Sequence, residues 1–273
     1  MKDVTFPEVY LATKSVLIES FEPGTLVSKY TLERTLKVPT GSAPISRRLR
    51  QYIVCRGEDI YLKMLLVDNL MHADLHPGNI LVTDNPPGMA LIDLGMVARL
   101  TPQESDIYVG LLHAMGAGDG EAAARCILKF AEEQACDDAA GFEEAMSAFF
   151  KASCKGYNTG VKFGEVVRGL LQIVRRFRVT IDANYMVIIT NALCLDGMAG
   201  SLLPSFSVLD AAQPLLQAHK WLPPWLFRAS LPLMHVLKGV QESIMLSAEE
   251  NDADYSRPRT ASHGPGGPLR RSV

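Results

Sequence analysis

Two short apolar runs, Ile80-Leu81-Val82 and Met89-Ala90-Leu91-Ile92, stand on either side of Asn85-Pro86-Pro87-Gly88, and this pattern constrains the chain most. Each run has strand length and not helix length, and the Pro-Gly punctuation between them makes a strand, turn, strand reading. Polar residues suited to chemistry lie just outside the two strands, with Asp74 and Asn79 before the first and Asp93 after the second. If Leu81 pairs with Leu91, then Ile80 faces Ile92 and Asn79 faces Asp93. Directly opposed residues of an antiparallel pair lie about 4.5–5.5 Å apart. That register brings an amide and a carboxylate close enough to share a metal ion, with Asp74 one short loop away.

The rest of the chain alternates little between strand and helix. Residues 4–18 carry β-formers (Val4, Phe6, Val9, Tyr10, then Val16, Leu17, Ile18) around a Thr-Lys-Ser turn, which predicts an antiparallel pair of strands. Glu19-Ser20-Phe21-Glu22-Pro23-Gly24 then reads as a connector. Residues 46–70 have helical periodicity, and everything after Thr101 reads as helix. Thr101-Pro102-Gln103-Glu104 is a capping box with proline at the first helical position. Helices are predicted over 102–116, 120–135, 140–155, 163–177, 182–199, 207–218 and 225–246. The fold class is therefore mainly α (α+β overall), with a few short strands at one edge. The stretch 247–273, rich in Glu, Asp, Ser, Arg, Pro and Gly, is expected to be a disordered tail.

Composition removes several classes of function. With 27 Lys plus Arg against 30 Asp plus Glu, the net charge of −3 gives no electrostatic case for nucleic acid. Five cysteines, Cys55, Cys126, Cys136, Cys154 and Cys194, are odd in number and form no metal-binding spacing, so they read as reduced, mostly core thiols. The first residues, MKDVTFPEVY, read as neither a signal peptide nor a transit peptide. The apolar stretch 221–237 is broken by three prolines, Arg228 and His235, which argues against a single membrane span.

Phosphoryl transfer needs a carboxylate to orient the acceptor proton and oxygen ligands to hold magnesium against a triphosphate. In protein kinases a catalytic-loop Asp precedes the metal-binding Asn by five residues, and an Asp-Phe-Gly supplies the other ligand. Asp74 and Asn79 have that spacing, and Asp93-Leu94-Gly95 follows the hairpin. HADLHPGNILV followed by LIDLGMVARLTP resembles the UbiB (aarF-domain) family of atypical kinases, whose members carry HADxHPGN and then DxG. The resemblance extends to VLIESFEPG, similar to the family's hinge, to LLVDNLMHAD, and downstream to VLDAAQPLL, so it covers roughly residues 4–218.

The resemblance implies the helical C-lobe of a protein-kinase-like fold, with the hairpin bearing the metal site and extra C-terminal helices. Residues 1–24 would be a remnant of N-lobe strands and hinge, and 25–246 the C-lobe. ATP and Mg would be the cofactors, with Asp74 catalytic and Asn79 and Asp93 as metal ligands. Backbone groups of Glu19, Ser20 and Phe21 would meet the base, and His72, His76 and Gly95 would support the loop. The implied partners are a lipid or small-molecule substrate, the proteins of ubiquinone biosynthesis and a peripheral membrane contact. The implied location is a mitochondrial or plastid inner membrane. The family's KxGQ segment, Ala-rich phosphate loop and strand lysine have no counterpart here, so the chain is expected to begin within the N-lobe. Lys14 lacks the context of that lysine. Leu94 stands where the kinase motif has Phe and Ala73 where it has Arg. The helix capped by Thr101 begins eight residues after Asp93, too soon for a peptide platform.

Other readings compete. Asp74 could cap loop amides, Asn79 could be a turn residue and Asp93 a strand-end cap. His72-x-Asp74-x-His76 could belong to a zinc hydrolase, although no third ligand follows at suitable spacing. The connector could be an ordinary turn. The chain could also be a catalytically silent scaffold or lipid-binding module. Trp221, Trp225 and Phe227 suit either an interfacial helix, with Arg228 and Lys238 reaching to phosphates, or a helix docked on the lobe. Arg47, Arg48 and Arg50 suit a solvated face or an anionic headgroup.

Overall fold

The hairpin forms with strands β6 (Ile80–Asp84) and β7 (Pro87–Leu91), joined by the two residues Asn85 and Pro86 across a cis peptide bond. Its register differs by one residue from the sequence expectation. Ile80 pairs with Leu91 and Leu81 with Ala90, while the amide of Ile92 donates to the carbonyl of Asn79 at 3.0 Å. Asn79 thus lies across from Ile92 and not from Asp93. Pro87 and Gly88 belong to the strand and not to the turn, so the hairpin's centre moves by half a residue. A one-residue slip turns side chains to the other face.

The computed structural model describes residues 1–36, 45–160, 162–234 and 236–239, excepting the side chains of 32–36. Residues Met1–Ala229 make one compact unit and the chain from Ser230 a second. Among the described residues of the second unit, 230–234 and 236–239 are helical, with Leu233, Val236 and Leu237 exposed and Lys238 buried. The proposed tail, 247–273, lies outside the described residues.

In the first unit, β1 (Val4–Thr5) runs parallel to β7, and β4 (Thr25–Leu26) is antiparallel to β6, completing a four-stranded sheet. The expected strand pair within residues 4–18 is narrower than read: β2 (Val9–Ala12) pairs with β3 (Leu17–Glu19), and Val4 and Thr5 leave for the larger sheet. The Asp3 carboxylate fastens this departure to the helical side, meeting Arg56 Nε at 2.8 Å and accepting from the Tyr52 hydroxyl at 2.9 Å. Burial and the neighbouring Asp3 push the Tyr52 phenol up to about 12. Gly24 crosses β6 so closely, at a positive φ, that a Cβ there would sit 3.0 Å from the Val82 carbonyl oxygen.

The helices are α1 (Val27–Leu36), α2 (Arg47–Lys63), α3 (Pro102–Ala117), α4 (Gly120–Ile127), α5 (Ala139–Ser153), α6 (Phe163–Arg176), α7 (Ala183–Leu202) and α8 (Val208–Trp221). The molecule is mainly helical with a small β content. At the start of α3 the expected capping box is present. Thr101 Oγ1 accepts from the Glu104 amide, and Glu104 Oε2 accepts from the Thr101 amide at 2.7 Å. Two departures stand out, and the second has a clear cause. Helix α1 was not expected. Helix α4 stops at Ile127 and not near 135, because Phe130 is drawn into the core to stack on Tyr185 at 4.1 Å. The amide side chain of Gln134 then binds the backbone of Leu128 and Thr180 in place of a helical turn.

Helix α2 runs into a π-helical turn, Met64–Asp68, that ends at Asn69 in the left-handed region. The widened turn turns the Leu65 carbonyl toward α3, where Ser105 Oγ donates to it at 2.8 Å. Strand β5 (Leu70–His72) follows and pairs with β8 (Val97–Arg99). These pairings deliver both ends of the Asp74 segment to fixed places. Helix α7 is long and apolar enough to cross a membrane by length and composition. Half of that stretch is buried in the protein, however, with Ile188 and Asn191 in the interior, so it serves here as a core helix.

Candidate active site

The site is the loop from His72 to Asn79, held between β5, the hairpin and α7. His72, only 2% exposed, works with both ring nitrogens. Nδ1 accepts from the Asp74 amide at 3.1 Å, so Nε2 carries the proton and donates to the Ile92 carbonyl at 3.1 Å. One imidazole therefore ties the loop to the end of β7. The Ala73 amide donates to the Met96 carbonyl at 3.0 Å and joins the loop to the segment that follows Asp93.

Asn79 is buried, and its Nδ2 donates to the main-chain oxygen of Asp74 at 3.0 Å and to Asp74 Oδ2 at 3.1 Å. The carboxylate is thereby aimed, while its side chain keeps 42% of its surface in solvent. His76 Nε2 lies 3.4 Å from the same Oδ2, and its Nδ1 accepts from the Gly78 amide at 2.9 Å. Gly78 must be small, since a Cβ there would approach the His76 ring to 2.5 Å. The 3-10 turn Pro77–Asn79 that carries this geometry packs against β4 and α1, the elements that follow the connector.

Asp93 is exposed and has φ of 58°, left-handed backbone that Asp tolerates better than most residues. A Cβ on Gly95 would lie 3.2 Å from Asp93 Oδ1, so a side chain at 95 would crowd that carboxylate. Leu94, Met96 and Val97 beside it are exposed. The connector residues stand on the β2–β3 ribbon. Glu19 pairs with Val9, and the Ser20 amide donates to the Glu8 carbonyl while its hydroxyl accepts from the Glu8 amide and donates to Glu22, so the amide and hydroxyl of Ser20 are engaged locally. Phe21 is 91% exposed.

Sequence reasoning missed two residues, both on α7. Asn191 is 1% exposed and grips the loop from below: its Oδ1 accepts from the Leu75 amide at 3.0 Å and its Nδ2 donates to the His72 carbonyl. The signal was available, because Asn191 stands three residues after Ile188 and four before Leu195 and so shares their buried face. One turn on, burial and then the Asp74 carboxylate push the Cys194 thiol up, which places it in the field of the loop. None of the five cysteines is in a disulfide, and only Cys154 is fully buried, so the expectation of mostly core thiols was too strong.

Among the described residues there is no group of three or more His, Cys, Asp or Glu side chains that could hold a metal ion. The zinc reading also fails on its own histidines, since both nitrogens of His72 are committed and Nδ1 of His76 binds Gly78. The donor set left for a hard cation is the Asn79 amide oxygen, the Asp74 carboxylate and the exposed Asp93 carboxylate. All are oxygen ligands, as Mg²⁺ prefers, and two carboxylates plus water and phosphate oxygens are a usual complement.

Residues 1–127 match the ABC1 atypical kinase-like domain. A probable serine/threonine-protein kinase of Dictyostelium discoideum, abkC, is 25% identical over 78% of this chain and 40% of its own length. The probable protein kinase UbiB of Pseudomonas fluorescens is 29% identical over 61% of this chain and 32% of its own, and that of Azotobacter vinelandii 27% over 61% and 31%. The chain thus spans only a third to two fifths of these relatives.

Proposed function

From the chain's membership of the UbiB (aarF-domain, ABC1) family of atypical kinases, we propose that it carries the loop that performs Mg-ATP phosphoryl transfer or hydrolysis in that family's manner. The observation that carries this reading is the pair of hydrogen bonds that Asn79 donates to Asp74, which holds a half-exposed carboxylate beside the hairpin's end. Asp74 would orient the acceptor hydroxyl or water and receive its proton. Magnesium, when bound, supplies charge neutralisation at the phosphates, and Asn79 and Asp93 are the residues that would hold it. His72 fixes the loop's approach to Ile92, and His76 stands where it can touch the nucleotide or shield Asp74.

Strand β8 begins at Val97, so only three residues separate Asp93 from a paired strand. That leaves little room for a peptide platform, and the exposed Leu94, Met96 and Val97 favour an apolar or lipid acceptor. The setting in isoprenoid-lipid metabolism at an organellar inner membrane is carried by the family resemblance. A catalytically silent scaffold draws on one observation, the register that sets Ile92 and not Asp93 across from Asn79. Calorimetric titration of ATP with and without magnesium decides between them. Binding that needs magnesium, is lost in Asp93→Asn and survives in Asp74→Asn supports the enzyme, and magnesium-independent or absent binding supports the scaffold.

Trp221 and Trp225 are 75% and 71% exposed at the end of α8 and the helix after it, and Lys220 lies 5.7 Å from the Trp221 ring centre. That pair of rings favours peripheral contact with a bilayer. Arg228 does not reach outward as expected, because its Nη2 donates to the Val67 carbonyl at 3.2 Å, and Lys238 is buried.

A further inference from the structure

We infer that Asn191 is a positioning residue for the Asp74 loop, and that the site is therefore completed from α7, beyond the stretch that matches the kinase-like domain. The inference rests on the reading of Asp74 proposed above. Several of the loop's polar backbone groups have partners within the site. The amide of Ala73 goes to Met96, that of Asp74 to His72 Nδ1, and the carbonyl of Asp74 accepts from His76 and Asn79. The Leu75 amide and the His72 carbonyl face the interior, and Asn191 serves both. Buried groups of this kind need partners, and losing a partner costs more than the bond itself contributes.

The two bonds bracket Asp74 in sequence, one residue after it and two before it. They therefore fix the loop's path on both sides of the residue that carries the carboxylate. Only a side chain with a donor and an acceptor on one planar head can serve both groups, and an amide does so in one orientation. Helix α7 is itself well held. Its Ile188 carbonyl accepts from the Tyr61 hydroxyl at 3.3 Å, and Asn184 Nδ2 donates to Glu104 Oε1 at 2.8 Å. A rigid helix with a locked rotamer is what precise placement of a reacting group requires. The consequence is that the geometry at Asp74 depends on a helix about 110 residues away in the sequence, separated from it by α3 to α6.

Two substitutions in the full chain separate positioning from packing. Asn191→Leu keeps the branched skeleton and heavy-atom count but offers neither bond, while Asn191→Asp keeps an acceptor for Leu75 and removes the donor to His72. Amide hydrogen exchange is read at Leu75 and, as a control, at Leu195 on α7. In Asn191→Leu the Leu75 amide is expected to exchange at least about tenfold faster, the equivalent of about 1.4 kcal/mol, with Leu195 unchanged. In Asn191→Asp, Leu75 stays protected, while magnesium-dependent ATP binding weakens by about tenfold because the loop that carries Asn79 has lost its tie at His72. Unchanged protection of Leu75 in Asn191→Leu overturns the inference, as does equal loss of protection at Leu75 and Leu195 in both variants. Should the native chain fail to bind Mg-ATP, the proposed function falls, and the exchange pattern still decides the role of Asn191.

Discussion

The amide of Asn79 holds Asp74 at two points, 3.0 Å to its carbonyl and 3.1 Å to its Oδ2, and is itself buried. Removing it frees the carboxylate to rotate and leaves the Asp74 carbonyl with one donor fewer. Asn79→Ala should therefore lower stability by about 1–3 kcal/mol and weaken magnesium-dependent ATP binding by more than about tenfold. Denaturant titration and calorimetry on the same preparation measure both. A variant with native stability would mean that the two bonds contribute nothing to the fold.

Asp93 makes the opposite prediction, because it is exposed and its constraint is backbone conformation. Asparagine tolerates the left-handed region as well as aspartate does, so Asp93→Asn should keep the native Tm and lose magnesium-dependent nucleotide binding. Asp93→Val should lose the same binding and, in addition, about 1–2 kcal/mol of stability from the forced φ. Equal thermal midpoints for the two variants would show that the backbone at 93 relaxes freely.

His72 is expected to be the tautomer with its proton on Nε2, since Nδ1 must accept from the Asp74 amide. Long-range nitrogen NMR of the native chain distinguishes the two ring nitrogens directly. A proton found on Nδ1 would rule out the bond to Asp74 and with it the tie to Ile92.

Much of this site was legible in the residues because its parts are local. The Asp74 to Asn79 spacing, the two apolar runs and the box at Thr101 each announce themselves within a few positions. The register was missed because it depends on whether Pro87 and Gly88 extend the strand or the turn, and local punctuation does not decide that. Asn191 was missed for a different reason. Its partners lie more than 110 residues earlier, and a polar residue in an apolar helix declares burial without declaring what it meets. Helix α4 ran long on paper because Lys129 to Ala135 favour helix, and only the tertiary stack of Phe130 on Tyr185 overrides them.

The capping box at Thr101 yields a pH dependence. Burial alone would raise the Glu104 carboxyl, but bonds from the Thr101 backbone, Asn184 and the Thr101 side chain outweigh it and hold the group below its ordinary value. A depressed folded-state pKa means stabilisation that is present above the unfolded value, about 4.3 for Glu, and that is lost as pH falls through the lower folded value. Glu104→Gln keeps the shape without the charge. Its deficit in Tm relative to the native chain should be largest near neutrality and should shrink below about pH 4. A deficit that stays constant across this range would mean that the charge contributes nothing.

The last prediction concerns the membrane, and it turns on where apolar surface is spent. Helix α7 has the length and hydropathy of a span, since about 20 mostly apolar residues suffice. To cross a bilayer it would have to surrender the grip of Asn191 on the loop and leave the His72 carbonyl and the Leu75 amide without partners. Each such group costs several kcal/mol in hydrocarbon, so α7 should stay in the core. Trp221 and Trp225, by contrast, are exposed, with Lys220 beside the first ring. Indole rings settle at the headgroup boundary, and a lysine there is drawn to anionic lipid. The chain should therefore sediment with anionic vesicles more than with neutral ones and be released from membranes by alkaline carbonate. Replacing both tryptophans by serine should cut vesicle binding by about tenfold and leave Tm unchanged, because neither ring packs in the interior. Retention after carbonate would mean that α7 leaves the core. Binding that survives loss of both rings would place the contact elsewhere on the surface.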